Sequence, residues 1–380
     1  MSAIEKLRVL IVVGTRPEII RMSRIISKVE EFCDLTLVHT GQNYDYELNE
    51  IFFQDLKIKQ PDYFLSCASE GNSPAETIGN IIIKIDQVIE DVAPDAMIIL
   101  GDTNSALSSL PAKRRQIPIF HLEAGNRCFD ERVPEEINRK IVDHISDINL
   151  TYSDISREYL LREGIKPQNI IKIGSPMFEI LNFHIENIEN SKILKKLDLK
   201  EREFFLVSFH RQENIENANN IAKIVEILNS IVQKFNLPII VSTHPRTRKA
   251  IDKGKFKISK EVVFINPLGF FDYIRLQKTA KIVISDSGTI TEEASILKFP
   301  AINLRETNER PEGMEEATTI MTGLDVKNVM RSISIIENSS FEDNCDIVDD
   351  YNVHNVSDKV LRIVHSYTGF VNRENWRKFQ

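Results

Sequence analysis

The chain reads as an α/β protein of two doubly wound, parallel-sheet domains. Short apolar, β-branched runs alternate with longer helical patterns along its whole length, as βαβ units do. Its 380 residues exceed the roughly 250–300 that a single core supports. Polar residues also recur where successive strands end, the edge at which open parallel sheets bind ligands.

In order, the first strands are read at Arg8–Val13, Leu35–His39, Ala96–Leu100, Ile117–His121, Asp147–Thr151 and Ile170–Ile173. Their near-continuous apolar character suits strands covered on both faces. A helix over Pro17–Val29 carries Ile19, Ile20, Ile25, Ile26 and Val29 at helical spacing. Asn182–Arg202 is polar and rich in Asn, Lys and Glu, and reads as the domain junction with surface helices. A second series follows at Phe204–Phe209, Ile239–Thr243, Val262–Ile265, Ile282–Ser285, Ala301–Leu304 and Thr319–Met321. Ser357–Tyr367 is a last amphipathic helix. The expected domains are therefore 1–180 and 181–356.

Composition narrows the function. The formal net charge is −8, from 48 basic and 56 acidic side chains, which argues against a nucleic-acid or membrane-surface binder. A local cluster of donors can still hold a small anion. The dense basic run Lys113–Arg115 reads as a solvated helix end. The apolar runs are too short to span a bilayer, and Glu5 and Lys6 lead straight into the first strand, leaving no room for a secretory signal. Four scattered cysteines, with no paired or His-flanked spacing, read as free thiols in a reducing cytoplasm rather than metal ligands.

The motifs sit at the expected strand ends. Gly14-Thr-Arg-Pro-Glu18 turns from a strand into a helix and places Arg16 at the edge, either for a phosphate or sugar or as an exposed side chain of a plain turn. Asp286-Ser287-Gly288-Thr289 opens a helix whose free amides and dipole suit an anion. Glu293, one turn in, is placed to bind ribose hydroxyls; a simple helix cap is the competing reading. His210 and His244 end two strands with an arginine nearby, a pattern that fits a diphosphate better than a metal. Asp102, Glu123 and Glu135 gather toward one crevice, where burial and repulsion raise carboxylate pKa values for proton transfer. Salt bridges to Arg127, Arg132 and Arg139 are the competing reading, and both can hold at once.

Together these stretches resemble the non-hydrolysing UDP-N-acetylglucosamine 2-epimerases over nearly the full length. The shared motifs, in order, are GTRPE (Gly14–Glu18), TGQ (Thr40–Gln42), GDT (Gly101–Thr103), HLEAG (His121–Gly125), PEEINR (Pro134–Arg139), HRQEN (His210–Asn214), THP (Thr243–Pro245), DSGT (Asp286–Thr289) and ERPE (Glu309–Glu312). The resemblance implies a glycosyltransferase-B-like fold of two Rossmann-like domains facing across a cleft, with the C-terminal segment 357–380 joining the first domain. It implies a homodimer, a UDP-sugar substrate, no cofactor and no metal. It also implies a mechanism: UDP leaves C1 while the C2 proton is removed, then UDP and a proton add back on the opposite face. Asp102, Glu123 and Glu135 correspond to the acid/base carboxylates and His210 to the histidine beside the diphosphate. Arg16, Ser287, Gly288, Glu293 and Arg310 match UDP-binding positions, with the uracil near Leu268 and Tyr273. Arg21, Arg139, His244 and Thr289 complete the expected substrate-binding set.

Departures from the family pattern narrow the substrate. Arg21 stands where most members have Lys, and Thr289 replaces the second Gly of DSGG. The Gly125–Val133 loop, GNRCFDERV, is shorter than the usual one, and Gln42 precedes Asn-Tyr-Asp rather than the pattern tied to allosteric control in some members. GNRCF, PEEINRK and ERPEG are most similar to the branch acting on UDP-2-acetamido-2,6-dideoxy-L-talose, which makes UDP-N-acetyl-L-fucosamine for surface polysaccharide. The alternatives are a UDP-N-acetylglucosamine 2-epimerase, a hydrolysing epimerase, a glycosyltransferase of the same architecture and a non-catalytic UDP-sugar sensor.

Overall fold

The computed structural model describes residues 5–42, 46–69, 71–209, 217–243, 248, 251, 254, 256–339 and 346–378. The chain divides into two compact units, one of Met1–Asn182 with Asp350–Gln380 and one of Phe183–Asp349.

In the first unit the strands are β1 (Arg8–Val13), β2 (Asp34–His39), β3 (Tyr63–Phe64), β4 (Ala96–Leu100), β5 (Ile119–Leu122), β6 (Ile148–Thr151) and β7 (Ile170–Lys172). They pair in the order β3-β2-β1-β4-β5-β6-β7, and every pairing is parallel. All five residues of β4, Ala-Met-Ile-Ile-Leu, are buried, as a central parallel strand covered on both faces requires. Strand order reverses between β1 and β4, so the switch-point crevice lies at the ends of these two strands.

Sequence periodicity places most elements and misjudges their ends. β5 starts at Ile119, two residues later than expected, because Pro118 has no amide to donate; its carbonyl still accepts from Met97. The two-residue edge strand β3 carries too short a pattern to be read. The first helix runs from Arg16 to Phe32, with Pro17 in its first turn and Thr15 before it. Lys113 and Arg114 close the helix Ser109–Arg114, where Lys113 pairs with Asp147 at 2.6 Å.

The chain returns to the first unit at Asp350, ahead of the final helix. Asp350 accepts from the Ser175 amide through its carbonyl and from Lys172 through its carboxylate, and Tyr351 beside it is fully buried. The last helix, Val356–Glu374, extends beyond the expected Ser357–Tyr367 at both ends. Its first turn is held by Glu179, which accepts from the Ser357 amide at 2.9 Å and from the Ser357 hydroxyl. It packs along the helix Arg16–Phe32, with Lys28 and Asp358 at 3.4 Å.

The second unit repeats the plan. β8 (Phe205–Ser208), β9 (Ile239–Ser242), β10 (Val262–Ile265), β11 (Ile282–Ser285), β12 (Ala301–Asn303) and β13 (Ile320–Met321) form a parallel sheet in the order β10-β9-β8-β11-β12-β13. The helix Ala218–Phe235 buries Ile221, Ile224, Val225, Leu228, Ile231 and Val232, a three- and four-residue spacing that lays one apolar stripe on the sheet. Here the order reverses between β8 and β11. Among the described residues no helix is long and apolar enough to cross a membrane.

Candidate active site

At the carboxyl edge of the first sheet, the loops after β1, β4 and β5 lie side by side because their strands are neighbours. Gly14 begins the first loop in a confined position: a Cβ there would lie 2.0 Å from Ser105 Oγ and 2.2 Å from Thr40 Oγ1. The hydroxyls of Thr40 and Ser105 are hydrogen-bonded at 2.8 Å, and Gln42 Oε1 accepts from the Ser105 amide and hydroxyl. The TGQ stretch is thereby tied to the turn that follows Asp102.

Asp102 and Glu123 each face an arginine. Arg139 donates to Asp102 through Nε at 3.0 Å and through Nη2, and its Nη1 reaches Glu136 at 2.8 Å. Arg21, one helical turn beyond Glu18, approaches Glu123 Oε2 at 2.5 Å. Both carboxylates remain partly accessible, at 20% for Asp102 and 13% for Glu123, while both arginines are 3% exposed. A buried guanidinium beside a carboxylate favours its ionised form. Glu135 is half-buried and makes no hydrogen bond or ion pair among the described residues. Of the three arginines weighed as partners for Asp102, Glu123 and Glu135, Arg127 pairs with Asp143 and Glu163, Arg132 pairs with Asp130, and Arg139 reaches Asp102. Arg16 stacks its guanidinium over Phe52, 6.0 Å from the ring centre.

Glu123 has φ = 63°, a left-handed conformation that is strained for a residue with a Cβ. A buried network holds it there. Asp143 accepts from the Gly125 amide at 3.2 Å, takes Arg127 Nη1 at 2.7 Å and lies 3.0 Å from His121 Nδ1. Burial opposes ionisation of Asp143, yet His121 and Arg127 together hold its carboxyl below the usual range. The other His121 nitrogen lies 2.8 Å from the Gly101 carbonyl, so one side chain braces the loops of both Asp102 and Glu123. Glu136 completes the frame, accepting from the Cys128 and Phe129 amides at 3.0 and 3.2 Å.

Glu18, which the sequence places in a motif without assigning it a role, has its carboxyl raised by its surroundings. Burial pushes it up to about 7, against four donors that favour the anion. These are the Gly14 amide (2.7 Å), the Thr15 amide (2.7 Å), the Thr15 hydroxyl (3.0 Å) and the Thr103 hydroxyl (2.6 Å). A Glu three residues after a Thr cap is a recognisable capping box, and that spacing was the available signal.

At the carboxyl edge of the second sheet, Ser287, Gly288 and Thr289 lead into the helix Ile290–Leu297. The Ser287 and Thr289 hydroxyls lie 3.0 Å apart, and Ser287 Oγ also accepts from the Thr289 amide at 3.3 Å. Gly288 lies close to the Arg305–Glu309 pair: a Cβ there would be 3.2 Å from the guanidinium. Arg310 is buried with Nε 3.5 Å from Glu292. Glu293 accepts from Gln277 Nε2 at 2.6 Å, a buried orienting contact that sequence reading missed because Gln277 lies on another helix. Leu268 and Tyr273 are half-buried against the core beneath β8 and β11. The Tyr273 hydroxyl donates to Ser208, which in turn bonds Ser285; burial and Glu293 push that phenol upward. His210 and His244, expected beside these loops, lie outside the described residues.

A family model described as UDP-N-acetylglucosamine 2-epimerase matches residues 27–365. The chain belongs to this family. Members are isomerases, and this chain has UDP-N-acetylglucosamine 2-epimerase-type activity. Its fold is 45% identical in sequence to the UDP-N-acetylglucosamine 2-epimerase of Rickettsia bellii, with a TM-score of 0.91 over 98% of this chain and 100% of that one. The Methanocaldococcus jannaschii epimerase, solved in complex with UDP-GlcNAc and UDP, is 32% identical with a TM-score of 0.88, covering 95% of this chain and 100% of that one. A UDP-2,3-diacetamido-2,3-dideoxy-D-glucuronate 2-epimerase of Pseudomonas aeruginosa is 33% identical over 83% of this chain and 88% of its own length. Named relatives therefore span more than one 2-acetamido sugar.

Gly125, at φ = 82°, would place a Cβ 2.4 Å from the Ser156 carbonyl oxygen. Gly125→Ala is expected to cost roughly 2 kcal/mol or more in urea unfolding, from left-handed strain plus overpacking. It should also depress turnover, by shifting Glu123 two residues away; an unchanged unfolding midpoint would show that this turn tolerates a side chain.

Proposed function

We propose that this epimerase inverts C2 of a UDP-2-acetamido sugar without hydrolysing it, by eliminating UDP and adding it back. The observation that carries this reading is the pair of accessible carboxylates, Asp102 and Glu123, each set against a buried arginine at one sheet edge. The C2–H bond is not next to a carbonyl, so no enolate can share its charge. The departing diphosphate must therefore be stabilised, and proton-transfer groups must stand on both faces of the sugar. In the elimination a carboxylate takes the C2 proton, those electrons form the C1–C2 double bond, and the C1–O bond breaks to release UDP. In the return step UDP re-forms that bond, and a proton reaches C2 from the other face. Asp102 and Glu123 each face a guanidinium, and Glu135 makes no such pair among the described residues.

The nucleotide is assigned to the second unit. Ser287, Gly288 and Thr289 at the helix start, with Arg310, suit the diphosphate, and Glu293 suits the ribose. Arg16, Arg21, Arg139, His210 and His244 complete the cationic and imidazole set on the strength of the family resemblance, with uracil near Leu268 and Tyr273.

For the sugar, UDP-2-acetamido-2,6-dideoxy-L-talose is preferred over UDP-N-acetylglucosamine. The GNRCF, PEEINRK and ERPEG stretches support it. So does the short loop that Glu136 clamps, in which Phe129 is 70% exposed beside the Tyr159 ring. A 6-deoxy sugar offers a methyl group where N-acetylglucosamine has a hydroxymethyl, and an aromatic loop suits the methyl. The second reading, UDP-N-acetylglucosamine to UDP-N-acetylmannosamine, is favoured by the names of the relatives. The free thiols of Cys33, Cys67 and Cys128 suit a reducing cytoplasm. A homodimer is also proposed: Ile83, Leu110, Ile137 and Ile141 are exposed on neighbouring helices of the first unit.

In heavy water, the enzyme given only the UDP-sugar should incorporate deuterium at C2; a glycosyltransferase awaiting an acceptor would not. Glu123→Gln is expected to lower kcat by about 100-fold or more with the Kd for UDP nearly unchanged, and wild-type exchange in that variant would refute the role. Comparison of kcat/KM should favour the 6-deoxy-L-talo substrate by roughly 10–100-fold; the reverse order selects the second reading. Light scattering should show the wild type as a dimer and the Ile83→Glu, Leu110→Glu double variant as a monomer.

A further inference from the structure

The helix Arg16–Phe32 sends two side chains, one turn apart, to two different loops. Arg21 reaches Glu123, as described above. Glu18 reaches the loop after β4, at the residue next to Asp102.

The Glu18 contact has a defined direction. Thr103 Oγ accepts from the Ser105 amide at 3.2 Å, which leaves its proton for Glu18 Oε1 at 2.6 Å. The other oxygen, Oε2, takes the Gly14 and Thr15 amides and the Thr15 hydroxyl. One buried carboxylate therefore joins the turn after β1 to the turn after β4, across the switch point of the sheet. All four donors converge on it from those two turns. A cap alone would need only the amides of its own turn. The bond to Thr103 spans 85 residues of sequence and serves no helix end that Glu18 belongs to.

We propose that Glu18 is a positioning residue for proton transfer at Asp102. By gripping the Thr103 hydroxyl, it fixes the backbone from which the Asp102 side chain projects toward the substrate. Arg139 holds the Asp102 carboxylate itself, and its own position is anchored on Glu136. Asp102 is thus restrained at its head by Arg139 and at its base by Glu18. Loosening either restraint misplaces the carboxylate by fractions of an ångström, which reduces turnover without removing a nucleotide contact. This inference rests on the role given to Asp102 above.

The test uses the full-length enzyme, with the UDP-sugar that turns over in the heavy-water assay and with UDP alone for binding. Thr103→Val removes the hydroxyl, Thr103→Ser keeps it, Glu18→Gln presents an amide where the Thr103 proton points, and Asp102→Asn is the reference. Thr103→Val and Glu18→Gln are expected to lower kcat about tenfold or more, with the Kd for UDP changed less than threefold, and Thr103→Ser to stay within twofold of wild type. Because both act through one bond, the double variant should be little worse than either single one. Fully additive losses, or equal losses in Thr103→Ser and Thr103→Val, would overturn the proposal. If Asp102→Asn loses turnover while Thr103→Val and Glu18→Gln keep it, the positioning role alone is wrong. If Asp102→Asn keeps wild-type turnover, the role of Asp102 falls and this proposal falls with it.

Discussion

A parallel sheet with helices packed on both faces has almost no interior position for an unpaired charge, because burying one there costs more than the sheet can offset. The carboxyl edge is the exception. Each strand ends there in a loop, and neighbouring loops can satisfy one another's charges. In the first unit this constraint shapes every polar feature of interest. β1, β4 and β5 are adjacent, so the loops bearing Glu18, Asp102 and Glu123 are adjacent too. The ion pairs Arg139–Asp102 and Arg21–Glu123 follow from that adjacency, since their partners lie 37 and 102 residues apart in sequence.

Those pairs set the working state of the edge. Both arginines are almost fully buried and permanently charged, and each would be costly to leave without an anion. The carboxylates are the more accessible partners, reaching the edge of the sheet while the arginines are buried. The strained backbone at Glu123 belongs to the same design. It is over-determined by Asp143, His121 and Arg127, whose network is buried and consists mostly of charge-assisted bonds. Removing a charge from that network would leave another buried and unmatched.

Much of this was legible in the sequence, and the limits have physical causes. Ala96–Leu100 and Ile282–Ser285 were read to the residue, because a strand buried on both faces is a plain apolar run, and so was the edge strand Val262–Ile265, which is equally apolar although Val263 is exposed. Strand ends such as Ile117 were misjudged, because hydrophobicity continues past the point where Pro118 breaks the ladder. The two-residue β3 had too little pattern to read. Motifs at strand ends were visible because polar residues follow apolar runs abruptly. Partner choice was not visible: nothing local to Glu123 names Arg21 over Arg127 or Arg132, and nothing near Glu293 names Gln277. Such choices are made by strand order, which a single sequence encodes only through contacts distant in the chain.

Glu18 shows where local and long-range information meet. Its capping-box position is readable from four consecutive residues, and its bond to Thr103 is not. A cap at the protein surface would keep its carboxylate solvated and its pKa ordinary. At this switch point the same cap is buried, and it acquires a fourth donor from the turn after β4 as well as a desolvation penalty. The local motif supplies the geometry, while the topology supplies the environment that makes the group sensitive. A residue can therefore carry a commonplace structural signature and still be tied to a loop far away in the sequence, provided the fold brings that loop against it.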